Sequence, residues 1–146
     1  MAGYSPTPLW KKLGVRPADR LVLLDAPQAW SVPDLPDGAS SVTESGDSAV
    51  AETSAEIVIA FCSTLAQLRE RIPPLAPRIF PAGAVWVAWP RRAGGHHSDI
   101  RDQDIRDVAL PLGLVDVKVA ALDEDWPGLR LVWRKELRQA SKPASG

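Results

Sequence analysis

Three short runs constrain what this chain can fold into: Leu21-Val-Leu-Leu24, Glu56-Ile-Val-Ile-Ala-Phe-Cys62 and Ala84-Val-Trp-Val-Ala-Trp89. Each is continuously apolar rather than alternating, the pattern of a strand covered on both faces, as in a parallel sheet. The connections carry helix signals. Thr64 with Gln67 three residues on is a capping box, Leu65, Leu68 and Ile72 form an apolar stripe, and Pro73-Pro74 is expected to end that helix. Asp99 is placed to cap a second helix running to about Ala109, with Ile105, Val108, Ala109 and Leu112 toward the core and Asp102–Arg106 as an i,i+4 pair. Ahead of the first strand, Thr7 (cap), Pro8 (first turn) and Gly14 (left-handed stop) punctuate a short helix. Leu114 to Leu122 and Leu129 to Trp133 alternate around Asp123–Gly128, which predicts an antiparallel hairpin. The fold class expected is α/β, a Rossmann-like doubly wound, mostly parallel sheet ending in an antiparallel β-hairpin.

The 146 residues suit one domain over 1–136, followed by a basic, flexible tail over 137–146. From Asp34 to Glu56 there are six carboxylates and no Lys or Arg, so residues 33–55 read as a flexible acidic insertion with one weak strand near Ser41 to Thr43. A formal net charge of −1 removes any global electrostatic reason to expect nucleic acid or an anionic membrane. No apolar run approaches the length of a membrane span and no leader pattern is present, so a cytoplasmic location is the expectation. Cys62 is the single cysteine, which excludes an internal disulfide and reads as an inert buried thiol.

The order of elements resembles a shortened class I methyltransferase fold. Pro81-Ala-Gly-Ala84 is similar to the small turn before that fold's fourth strand, and Asp25 falls where such enzymes place an acidic residue. The resemblance implies a glycine-rich cofactor loop next, yet this chain has Asp25-Ala-Pro-Gln-Ala-Trp30. Without glycines the backbone cannot approach a cofactor in the usual way, so the likeness extends to the fold and not to the activity. Four further segments resemble a bacterial family of small proteins of unknown function, DUF3052. They are Gly3-Tyr-Ser-Pro-Thr-Pro-Leu-Trp-Lys-Lys-Leu-Gly14, Val85-Trp-Val-Ala-Trp-Pro-Arg91, Val108-Ala-Leu-Pro-Leu-Gly-Leu-Val-Asp-Val-Lys118 and Leu122-Asp-Glu-Asp-Trp-Pro-Gly-Leu-Arg-Leu-Val132. That family brings no assigned reaction, cofactor or catalytic residue, and His96-His97 is not part of its pattern.

The candidate site is the junction where the third strand meets a polar loop. Trp89 offers an aromatic face, Arg91 and Arg92 offer bidentate donors, and Gly94 and Gly95 leave backbone N–H groups accessible. Asp25 and Trp126 complete the candidate binding set. No catalytic residue, cofactor or metal is expected. Adjacent His96 and His97 lack further ligands, and Asp123, Glu124 and Asp125 read as a wet hairpin tip. Six tryptophans pose one more question, whether several share an exposed face that would anchor a partner. The expected function is a non-catalytic interaction or regulatory module with a protein partner, a small anionic ligand being the second expectation. The alternative is a small-molecule or nucleotide-binding domain derived from a methyltransferase-like fold.

Overall fold

Four parallel strands and one hairpin make a single six-stranded sheet. The computed structural model describes residues 7–45, 54–90, 99–123 and 125–140. The strands are β1 (Arg20–Leu24), β2 (Ser40–Glu44), β3 (Ile57–Phe61), β4 (Ala84–Ala88), β5 (Leu114–Ala121) and β6 (Pro127–Trp133). Their order across the sheet is β2-β1-β3-β4-β6-β5. β1 through β4 are parallel, and β6 inserts antiparallel between β4 and β5. The helices are α1 (Leu9–Leu13), α2 (Leu65–Leu75), α3 (Asp102–Ala109) and α4 (Lys135–Ala140).

The apolar runs do what their continuity predicts. Every residue of β3 and β4 is buried, because side chains on both faces of these central strands meet a packed layer. On one face Val22, Leu24, Val58, Ala60, Val85, Val87, Leu129 and Leu131 pack under α2 and α3. On the other, Leu21, Leu23, Ile57, Ile59, Phe61 and Trp86 pack under α1 and the long β1–β2 connection. Trp86 is fully buried, and its indole N–H donates to the Leu13 carbonyl at 3.1 Å, which ties α1 to the sheet centre. Gly83 stands where a Cβ would come within 2.8 Å of the Glu56 carbonyl, so the close approach of the turn to β3 needs glycine.

The weak strand expected near Ser41 to Thr43 is present as the edge strand β2, with one side unpaired and one face little covered. Residues 46–53 of the acidic insertion lie outside the described residues. Several local expectations are corrected. α2 does not stop at Pro73 but runs to Leu75. The two prolines forfeit only bonds to the Arg69 and Glu70 carbonyls, on exposed residues where water can replace them. No side chain caps α1, whose entry residue is Pro8 rather than Thr7, while Gly14 takes the expected left-handed stop at φ 82°. α3 begins at Asp102, and its entry is closed by the Asp104 carboxylate accepting the Arg101 N–H at 2.9 Å. Asp99 instead caps α2, accepting the Leu65 N–H at 2.8 Å and holding the two helices together. The expected Asp102–Arg106 pair forms at 3.3 Å. Part of the expected tail is the helix α4, and residues 141–146 lie outside the described set.

Candidate functional site

In an open doubly wound sheet, the crevice lies at the carboxyl ends of the strands where the chain reverses its direction of travel across the sheet. Here that point falls between β1 and β3, since the chain leaves β1 for β2 on one side and then β3 on the other. The residues delivered there are Asp25 after β1, and Phe61 and Cys62 at the end of β3.

Asp25 adopts φ 58°, a left-handed conformation that its short polar side chain tolerates. Its N–H donates to the Glu44 carbonyl at 2.8 Å, and its carboxylate accepts the Arg71 Nε–H of α2 at 2.7 Å. The two side chains are only 23% and 12% exposed, so the pair is largely sheltered from water. Glu44, at the end of β2, is held by both Nη groups of Arg78 at 2.8 and 2.9 Å. That bidentate contact keeps the Glu44 carboxyl below its ordinary range against the opposing effect of burial. Cys62 has no exposed surface, and burial pushes its thiol up to about 12 despite the Arg71 charge nearby. It is therefore protonated at neutral pH and unsuited to nucleophilic attack.

On the opposite face, an aromatic row covers the same strand ends. Trp30 meets Phe61 edge-on at 4.8 Å, and Phe61 meets Trp126 edge-on at 5.0 Å. Asp123 locks the row in place. Its Oδ2 accepts the Trp30 indole N–H at 2.7 Å, and its Oδ1 accepts the N–H groups of Asp125 and Trp126 at 2.8 and 3.0 Å. The acidic hairpin tip thus organises the β1–β2 connection, and its carboxylate is not free for acid–base work. Among the described residues no group of three His, Cys, Asp or Glu could hold a metal ion.

Of the expected binding residues, Asp25, Trp89 and Trp126 are described, and they occupy different surroundings. Trp89 is half-buried against the α2–α3 face, its N–H donating to the Pro127 carbonyl at 3.2 Å, whereas Trp126 belongs to the opposite face. Asp25 faces Arg71, an arrangement in which neither tryptophan takes part. Arg91, Arg92, Gly94, Gly95, His96 and His97 lie outside the described residues. The tryptophans form no shared exposed patch, since Trp86 is buried and the other five are half-buried and divided between the two faces. Arg71 and Arg78 were not among the expected site residues. Arg71 had a signal, for it lies three residues after Leu68 and beside Ile72, at the edge of the buried stripe.

No protein-family model and no curated protein matches the sequence. The comparison with solved structures is different. The fibrillarin pre-rRNA processing protein of Methanococcus jannaschii aligns over 90% of this chain and 70% of its own, with TM-score 0.56 and 11% identity. A TehB-like SAM-dependent methyltransferase from Corynebacterium glutamicum aligns over 91% of both chains, with TM-score 0.53 and 11% identity. The fold is methyltransferase-like. LepI, seen in complex with SAM, aligns over 86% of this chain with TM-score 0.53 and 14% identity. This chain spans only 39% of LepI, and about a third to a half of two further methyltransferases it aligns with. At such identities the likeness fixes architecture and leaves the chemistry to the site.

S-adenosylmethionine is the group this fold implies, and the residues present do not fit it. The segment after β1, where a cofactor needs close backbone approach, contains no glycine before Gly38. It turns instead through left-handed Asp25 and Ala29 and lays Trp30 over the strand ends. Asp25 is already neutralised by Arg71.

Proposed function

We propose that this chain is a non-catalytic interaction or regulatory module of the DUF3052 kind, built on a methyltransferase-like fold and engaging a protein partner. One observation carries the reading: the described groups at the switch point are already engaged by the protein's own side chains. Arg71 engages Asp25 on one face, and the Trp30–Phe61–Trp126 row lies over the strand ends on the other. A transfer enzyme needs an open cleft there for its cofactor and the reacting groups. Here Cys62 is buried and protonated, and Asp25 and Glu44 are both salt-bridged.

The partner surface in this reading is the loop that leaves β4 after Trp89. The β4 end is tied to β6 by the Trp89 N–H bond to the Pro127 carbonyl, and polar segments that follow buried strands often carry recognition. Chemical cross-linking at native abundance should capture a stoichiometric protein partner that is lost on Trp89→Ala or Arg91→Ala. A monomer that captures nothing would contradict the reading.

The second reading, a small-molecule domain derived from the same fold, draws on a shallow open groove lined by Asp25, Ala26, Thr43, Glu44 and Ser45. It predicts ligand-dependent stabilisation that Asp25→Asn alters and Trp89→Ala does not.

A further inference from the structure

The opposite edge of the sheet carries a separate feature. Arg130 lies on β6 beside Trp86, facing the α1 side, where its neighbours on the strand, Leu129 and Leu131, face the other. Its guanidinium rests against the turn after α1, with Nη2 3.7 Å from where a Cβ on Gly14 would stand. Its Nε is buried and has no hydrogen-bond partner among the described residues. A buried guanidinium N–H left unpaired costs about 1–3 kcal/mol, so a native protein rarely keeps one without use.

Nearby acceptors are already engaged. The last carbonyls of α1 are bonded in turn: Trp10 by the Val15 N–H, Lys11 by the Gly14 N–H, Lys12 by the Lys118 ammonium and Leu13 by the Trp86 indole. Both oxygens of Glu56 are held by Arg20, and Asp19 accepts the Arg16 N–H. The groove between α1 and the hairpin, about 340 Å³, is lined by Lys11, Lys12, Arg16, Lys118 and Arg130 with no carboxylate among them. Burial, and then the neighbouring Arg16 charge, both weaken the hold of Arg130 on its proton. Asp19 and Glu56 line the adjoining cleft but neither pairs with Arg130, and two cations so placed favour a bound anion.

We infer that Arg130 and Arg16, flanked by Lys12 and Lys118, form a binding site for a phosphate-bearing small anion at the amino-terminal edge of the sheet. The site lies away from the switch point and stands independently of whether that crevice binds anything. The planar forks of the two arginines suit a tetrahedral oxyanion, and each lysine keeps protons beyond the single carbonyl it now touches. The groove is of the size that small ligands occupy.

The test is calorimetric titration of the full chain with inorganic pyrophosphate and with ADP, at constant ionic strength set by sodium chloride. Saturable binding is expected, weakened at least about tenfold by Arg130→Met and by Arg16→Gln, and unchanged by Arg69→Gln on α2. Equal affinities would assign the site to a free anion, and tighter ADP binding to a nucleotide; both support it. Without ligand, Arg130→Met should melt at or above the wild-type temperature, since it removes a half-buried guanidinium with an unpaired Nε. A lower melting temperature would mark a purely structural arginine and overturn the proposal. So would absence of saturable binding, retention of binding in both arginine variants, or tighter binding of a single-stranded oligonucleotide than of either small anion.

Discussion

Replacing Asp25 separates two contributions that meet at one residue, its charge and its backbone. The carboxylate sits 2.7 Å from Arg71 Nε in a largely sheltered position, and the main chain there has φ 58°. Opposite charges about 4 Å apart in an effective dielectric of about 20 attract by about 4 kcal/mol. Dehydration of two mostly buried groups offsets more than half of that, leaving a net coupling of about 1–2 kcal/mol. Asp25→Asn keeps the shape and tolerates the left-handed conformation, so it should lose about the coupling and little else. Asp25→Ala loses the same interaction and adds about 1 kcal/mol of backbone strain. Urea denaturation of the wild type, Asp25→Asn, Arg71→Met and the double variant gives the coupling directly, provided the slopes agree. The expected order of stability is wild type, then Asn, then Ala. A coupling below about 0.3 kcal/mol, or equal costs for Asn and Ala, would refute the reasoning.

Three further outcomes follow from the same contacts. Cys62 should resist thiol reagents in the folded protein and react only on unfolding. Its thiol ionises near 9.0 when unfolded and about 12 when folded, so above pH 9 the unfolded state binds fewer protons and is favoured. Stability should then fall by about 1.4 kcal/mol per pH unit from this group, and Cys62→Ala should remove that part of the slope in denaturation measured from pH 8 to pH 11. Glu44 runs the other way: its folded carboxyl is held below the ordinary range by Arg78, so its stabilisation is present above that range and is lost as pH falls through the folded value. Acid denaturation of Glu44→Gln should therefore be shallower than wild type below pH 4.5. Gly83→Ala drives a methyl to 2.8 and 2.9 Å from two backbone oxygens and should cost about 2–3 kcal/mol in thermal melts, more than Gly128→Ala, whose methyl meets only side chains, Leu122 at 3.1 Å and the Trp86 ring at 3.2 Å.

The interior strands and the hairpin could be read from the sequence, because β1, β3 and β4 are buried on both faces and the hydrophobic effect writes that burial directly into composition. β2 was legible only as a weak strand near Ser41 to Thr43, since an edge strand of Ser, Thr, Glu and one exposed Val carries no periodic signal. The path of α2 through Pro73 and Pro74 depends on which carbonyls water can reach, a property of the packed molecule. Asp99 was recognisable as a cap, but sequence spacing ties a cap to the helix that follows, while its partner here is the start of the preceding helix. The site was harder to read for the same reason. Asp25 was identifiable from its position after β1, yet Arg71 lies 46 residues away and only the sheet order brings the two together. Arg130 is hidden in an apolar strand, and its significance lies in the acceptors that its surroundings fail to offer.

Calorimetric titration of the wild-type chain with S-adenosylmethionine and S-adenosylhomocysteine bears most directly on the central claim, that the switch-point groups, engaged within the chain, leave no cofactor site. With Asp25 engaged by Arg71 and Trp30 stacked on Phe61, neither compound should give saturable heat up to millimolar concentration. Saturable binding in the micromolar range, abolished by Asp25→Asn, would contradict it and return the domain to the cofactor-binding members of its fold.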